Sequence, residues 1–317
     1  MRAFLLLACL LPAAPPAAGG GKELARRLEG VAARLEGHRL LAGRARVGVV
    51  VYDLQRRRLL WARRADESFA PASNMKLVTT AAALDLLGPG HPFRTRAWAR
   101  GEVAGGTLAG DLLLAGGGDP SWGRLVPDRA PERVAASLAA ALQKAGIARV
   151  EGDLVVDATC FDALHVHPDW PRGQLQAAYC APVGGLNLAS GCVHLLVSGP
   201  RRPGAPARAR LWPEGVPFRL ENRARIALSG SRHLDVVRRG EDRILLSGRA
   251  APQRRRFRVA VADPVAYTAG WLRRALAEKG VQVAGGIRQE AFDSPGEVPL
   301  WSLETPLATI LPVVNKE

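Results

Sequence analysis

The sequence predicts an α/β chain of the α+β kind, with a large strand-rich region inserted between an early helix and the C-terminal segment. Three observations carry this. An alternating hairpin pattern leads directly into an alanine-rich helix near residue 80. Residues 193–262 are strand-like and broken by glycine and proline turns. Two passages that echo one another, "LAAALQKAGIARVEGDL" and "LRRALAEKGVQVAGGI", bracket that middle, each running from a helix through lysine and glycine into a short strand. Bracketing of this kind fits an insertion that returns to its parent domain better than domains in series.

The first stretch, "MRAFLLLACLLPAAPPAAGG", has one basic residue, an apolar run too short to span a bilayer, then small residues and prolines. Residues 1–20 therefore read as a secretory signal, cleaved within 17–20, and the mature protein is expected to be periplasmic or secreted. Cys9 after "LLLA" is a weak lipoprotein signal. No later run reads as a transmembrane segment. Peripheral association with the envelope stays open, as does the oligomeric state.

Residues 21–92 form the first part of the parent domain. "GKELARRLEGVAARLEGHRLLAG" has apolar positions at helical spacing. Strands over Val47 to Asp53 and Leu59 to Ala62 follow, joined by a basic turn. The next helix has Pro71 near its start and stops at "GPGHP". The insertion is assigned to residues 93–298, with a nested piece at about 193–262. Short strands separated by glycine are expected from Phe93 to Gly118, a helix from about Pro131 to Gly146 and a second from Val265 to Lys279. Residues 299–317 follow the insertion, and their role is read from the resemblance given below.

Formal net charge is +15, supplied mostly by arginine. No nucleic-acid module and no aromatics interleaved with a basic face accompany it, so nucleic acid is not an expected partner. A solvated basic surface explains the charge, and attraction to an anionic envelope surface or polymer is the competing reading. With Cys9 removed, Cys160, Cys180 and Cys192 remain. An oxidising compartment permits one disulfide, Cys180 with Cys192 or Cys160 with Cys180, and three small buried thiols is the alternative. The spacing of cysteines and histidines gives no metal cluster, and no cofactor is implied.

The chemistry centres on "FAPASNMKLVTTAAAL", Phe69 to Leu84. Residues three apart share a helix face, so Ser73 and Lys76 can point into one cleft. Serine needs a base to become a useful nucleophile, and a lysine acting as base must spend part of its time neutral, which desolvation by neighbours such as Met75 and Leu77 promotes. Free N–H groups at a helix start favour developing negative charge. Serine-x-x-lysine alone is a common string, and a capping serine beside a surface lysine is its plain reading. "AGGGDP" lacks the lysine and hydroxyl residue of a phosphate loop and reads as a tight turn capped by Asp119. Asp157 and Asp162 read likewise as structural carboxylates.

With its hairpin before and alanine-rich helix after, this segment resembles the nucleophile segment of class C low-molecular-mass penicillin-binding proteins, the S13 family of D-alanyl-D-alanine carboxypeptidases and endopeptidases. "GDLLLAGGGDP", "VEGDLVVDATCFD" and "YCAPVGGLNLASGC" resemble segments of that family's inserted domain, and "PLWSLETPLATILPVVNKE" its return passage. The resemblance implies a beta-lactamase/transpeptidase-like catalytic domain, Ser73 as nucleophile and Lys76 as base. It implies peptidoglycan stem peptides and beta-lactams as the molecules that reach Ser73. The family also uses a serine-x-asparagine after the return passage and a lysine-threonine-glycine on an edge strand, and neither string occurs in these 317 residues. The catalytic domain is therefore expected to be incomplete at its C-terminal side. A non-catalytic peptidoglycan-binding protein or inactive fragment is the alternative function, and a serine beta-lactamase a third, disfavoured by the long insertion.

Overall fold

The computed structural model describes residues 20–39, 46–123, 126, 128–293 and 298–316. The expected signal at 1–20 lies almost wholly outside them. Among the described residues, no helix is long and apolar enough to cross a membrane. The chain divides into two compact units, residues 1–86 and 87–317.

The first unit opens with helix α1 (Gly20–Glu36), followed by an antiparallel hairpin of β1 (Val49–Asp53) and β2 (Arg58–Arg63). Asp53 makes the basic turn: its Oδ1 accepts from the backbone N–H groups of Gln55 and Arg56 at 3.1 and 2.9 Å. Glu36, at the end of α1, joins helix to hairpin. It accepts from the Val47 backbone N–H at 2.8 Å, from Arg63 Nη2 at 2.6 Å and from Arg64 Nη1.

The Val47 N–H, with help from the two arginines, holds the Glu36 carboxyl down to about 2. Because this folded-state value lies below the unfolded one, its contribution is complete above about pH 4.5 and is lost as pH falls toward 2. Glu36→Gln is expected to lower the stability of the protein at pH 7 and to flatten the acid limb of its stability profile between about pH 4.5 and 2. Denaturant midpoints measured across that range check this; parallel acid limbs for the two proteins would count against it.

After the hairpin a 3-10 turn (Ala72–Asn74) runs into α2 (Met75–Leu87). Three consecutive alanines, Ala81 to Ala83, favour this helix, and Gly88 at φ +77° ends it in the left-handed conformation that glycine adopts without penalty. Within α2 only Thr80 is buried, while Leu77, Val78, Leu84, Leu86 and Leu87 are exposed.

The second unit is built on a seven-stranded mixed sheet. Its centre is the antiparallel hairpin of β3 (Pro92–Ala104) and β4 (Thr107–Gly116). These are two long strands where short ones separated by glycine were expected. Gly101 and Gly110 lie opposite one another inside the ladder at φ +139° and +156°. A Cβ on Gly110 would sit 2.0 Å from the Arg100 carbonyl oxygen, and one on Gly101 2.2 Å from that of Ala109. The glycines permit close backbone approach rather than ending strands.

Helix α3 (Pro131–Lys144) then leads to β5 (Arg149–Val150) and β6 (Leu154–Asp157), both parallel to β4. The middle forms two smaller sheets. β7 (Cys192–Ser198) lies between β8 (Arg208–Trp212) and β13 (Arg255–Ala260). The other sheet contains β9 (Arg219–Asn222), β10 (Arg225–Ile226), β11 (Leu234–Arg239) and β12 (Arg243–Ala250).

Helix α4 (Pro264–Glu278) starts at Asp263, whose Oδ1 accepts from the Val265 and Ala266 N–H groups at 2.8 and 2.9 Å. It feeds β14 (Gln282–Val283), parallel to β5, and β15 (Ile287–Gln289), parallel to β6. The two echoing passages thus lie side by side in one sheet. β16 (Trp301–Pro306) completes the sheet against β3, and α5 (Leu307–Lys316) follows. Leu138 and Leu142 of α3 and Leu272 and Leu276 of α4 share one buried cluster with Leu108, Leu112 and Leu114 of β4, and that cluster continues through Val193, Leu195, Ile244 and Leu246.

Candidate active site

Ser73 lies inside the 3-10 turn, and Lys76 in the first turn of α2. The serine side is exposed and the lysine half-buried. Pro71 heads the turn without a side-chain cap, the Asn74 N–H donates to the Pro71 carbonyl at 2.9 Å, and the Met75 N–H is directed at the carbonyls of Ala72 and Ser73. The backbone satisfies the helix entry by itself. Among the described residues, no hydrogen bond engages the Ser73 hydroxyl, so it does not serve as a cap.

Ala72, immediately before it, has φ +46°, a conformation that costs a residue with a Cβ roughly 1–2 kcal/mol. Sequence reasoning missed this strained residue, since alanine gives no signal for a left-handed turn. The desolvating flank expected of Met75 and Leu77 is not in place within this unit, where both are about half exposed. Successive helix positions point in different directions, and neighbours in sequence do not cover Lys76.

The acidic residues singled out in the sequence act as turn caps. Asp119 Oδ1 accepts from the Ser121 N–H at 2.9 Å, Asp157 Oδ1 from the Thr159 N–H at 2.9 Å and hydroxyl at 2.6 Å, and Asp162 Oδ1 from the Leu164 N–H at 3.0 Å. Asp119 does more than the sequence suggested. It is buried, and its Oδ2 accepts from the Thr305 hydroxyl at 2.7 Å, while Arg129 donates to the Glu304 carbonyl at 2.9 Å. This polar latch ties the "GGGDP" turn to β16 of the return segment.

Cys160, Cys180 and Cys192 are all free thiols, so neither expected disulfide pairing forms. Cys180 closes a 3-10 turn and Cys192 opens β7; both are buried, and Cys160 is exposed. Burial pushes the Cys192 thiol up to about 11, which leaves it protonated and inert near neutral pH. A shallow cavity of about 390 Å³ lies between α4 and β14, lined by Arg273, Arg274 and Val283 among others, and includes neither Ser73 nor Lys76.

The profile of the D-Ala-D-Ala carboxypeptidase 3 (S13) family matches residues 29–317. The D-alanyl-D-alanine carboxypeptidase of Actinomadura sp. (strain R39) is 34% identical over 302 residues, covering 89% of this chain and 53% of that protein. D-alanyl-D-alanine carboxypeptidase DacB of Haemophilus influenzae is 25% identical over 278 residues, covering 86% of this chain and 56% of that protein. The crystal structure of penicillin binding protein 4 (dacB) from Haemophilus influenzae superposes with a TM-score of 0.66 at 24% identity, over 82% of this chain and 56% of that one. Its complex with a novel beta-lactam gives 0.60 at 23% identity, over 82% and 55%. The chain spans about half the length of the curated relatives it matches. It belongs to the D-Ala-D-Ala carboxypeptidase 3 (S13) family, and its fold is of the beta-lactamase/transpeptidase-like kind seen in those structures.

Proposed function

We propose that this member of the S13 carboxypeptidase family acts through Ser73 as nucleophile and Lys76 as base, on the D-Ala-D-Ala ends and cross-links of peptidoglycan stem peptides. The observation that carries the reading is the Ser73 hydroxyl: exposed, free of any capping role, and set in a strained turn that leads straight into the first turn of α2 with Lys76. A capping serine would be spent on the backbone; this one is not.

In the proposed reaction the neutral Lys76 amine takes the hydroxyl proton as Ser73 Oγ attacks the carbonyl carbon between the two D-alanines. The carbonyl π electrons move to oxygen and form an oxyanion, which hydrogen-bond donors must hold. When the oxyanion collapses, the C–N bond breaks, the proton passes to the leaving D-alanine nitrogen, and an ester remains on Ser73. Water, deprotonated in the same way, hydrolyses that ester. A beta-lactam opens by the same first step and leaves its own acyl group on the serine.

Residues 93–298 are proposed to be an insertion in this catalytic domain, with 193–262 as a nested piece. The "LLLACLLPAAPPAAGG" leader and the family's envelope substrate support export to the periplasm or beyond.

A non-catalytic peptidoglycan-binding protein is the competing reading. A fluorescent penicillin and insoluble peptidoglycan separate the two. A serine-dependent label that survives denaturation supports the enzyme, whereas retention on peptidoglycan with no label at Ser73, in a form that carries a serine-x-asparagine and a lysine-threonine-glycine element, supports the binding protein.

A further inference from the structure

The charge of this chain is not evenly spread. Residues 193–262 hold sixteen arginines and no lysine against five acidic side chains (Glu214, Glu221, Asp235, Glu241 and Asp242), and so account for eleven of the fifteen net positive charges. Strand register decides where those arginines point.

In the three-stranded sheet, Arg256 of β13, Leu196 of β7 and Arg210 of β8 are cross-strand partners, and so are Arg258, His194 and Trp212 in the next row. Arg208 stands opposite Ser198 one row on. Partners in an antiparallel ladder share a face. The other face of β7, Val193, Leu195 and Val197, is buried in the core. Arg208 and Arg210 on one side, with Arg256 and Arg258 on the other, therefore flank a lane along β7, and all four are exposed; His194 and Trp212, on the same face in the Arg258 row, are buried, so the open floor of the lane is Leu196 and Ser198.

Arginines two apart on a strand are about 7 Å apart, and the two rows are about 10 Å apart across β7. Little neutralises them. Arg210 pairs with Glu214 at 3.2 Å, but both side chains are more than half exposed, so the pair contributes little. Among the described residues, no carboxylate lies within ion-pair distance of Arg208, Arg256 or Arg258. Leu196 is partly buried and packed against the core, so the lane floor offers no projecting apolar group.

We infer that this outer face of β7, β8 and β13 is a binding lane for a linear phosphodiester polymer, which runs along β7 with its phosphates gripped alternately by the two arginine rows. Guanidinium forks match phosphate oxygens two at a time. Two cation rows with a lane between them suit a chain of phosphates. An anionic lipid surface would gain nothing from the lane and would be helped by projecting apolar groups, which the face lacks.

The test uses the 317-residue protein and a fluorescein-labelled, base-free deoxyribose phosphodiester oligomer, with binding followed by anisotropy across a salt series. Arg210→Gln with Arg256→Gln removes one cation from each row at the same rung. Arg219→Gln with Arg243→Gln removes two exposed arginines that face each other across β9 and β12 in the other sheet, at the same cost in net charge. The lane pair is expected to weaken binding about tenfold or more and to flatten the slope of log affinity against log salt by about 1.4. The control pair is expected to leave the slope unchanged. Equal losses from both pairs, or none from the lane pair, overturn the inference. If the glutamine pair fails to fold, Arg210→Lys with Arg256→Lys keeps the charge and removes the forks, and is expected to bind about threefold more weakly; unchanged affinity contradicts the lane. Co-sedimentation with phosphatidylglycerol vesicles that the lane pair abolishes, without displacement by the oligomer, would assign the face to a membrane and also overturn it.

Discussion

Residues 1–317 alone are expected to release D-alanine from a D-Ala-D-Ala peptide at least about 100-fold more slowly than a form that also carries a serine-x-asparagine and a lysine-threonine-glycine element. Ser73 and Lys76 supply attack and proton removal. They do not grip the substrate carboxylate, relay the proton onward or stabilise the oxyanion. Losing one oxyanion contact in a serine hydrolase costs about 3 to 4 kcal/mol, and the losses need not add, because residues that act as a unit are strongly non-additive. Even one is decisive. The exposed apolar side chains of α2, Leu77, Val78, Leu84 and Leu86, point the same way, since the described part of the first unit does not cover them. D-alanine release measured side by side on the two forms is the check. Comparable rates would mean that some residue within these 317 replaces the missing elements.

Lys76→Ala in such an active form is expected to lower the acylation rate by about 100- to 10,000-fold while leaving peptide binding nearly unchanged. Without a base, Ser73 must attack as an alcohol, a poor nucleophile near neutral pH. Lys76→Arg is not expected to rescue it, because a guanidinium stays protonated and takes up no proton. Stopped-flow acylation by a chromogenic beta-lactam reads the rate directly. Activity within about threefold of the parent for either variant would remove Lys76 from the role of base.

Local signals in the sequence carried the hairpin before Ser73, α2, α3 and α4, because each depends on neighbours within a turn or two: alternation in β1, the alanine run of α2, Pro131 at the start of α3. The echo between the passages after α3 and α4 was also legible, and the structure lays their strands side by side. What failed was long-range. Gly101 and Gly110 read as strand breaks because nothing in either neighbourhood shows that they face each other across a ladder. The Asp119 to Thr305 hydrogen bond joins residues 186 apart, and only the turn-capping half of Asp119 is visible locally. At the site, serine-x-x-lysine gave the spacing. The left-handed Ala72 and the idle Ser73 hydroxyl required the backbone. The total charge was likewise plain, whereas its arrangement in two rows depends on the register of β7 with β8 and β13.

Ser73 is proposed to be the acylated residue, and peptide mapping after exposure of an active form to a beta-lactam locates the adduct. Trypsin cutting after Arg64 and Lys76 isolates "ADESFAPASNMK", which contains only Ser68 and Ser73 as hydroxyl candidates. The beta-lactam mass is expected on this peptide, fragmentation is expected to place it on Ser73, and Ser73→Ala is expected to remove it from the intact protein. An adduct on any other peptide, on Ser68, or one that persists in Ser73→Ala would contradict the proposal.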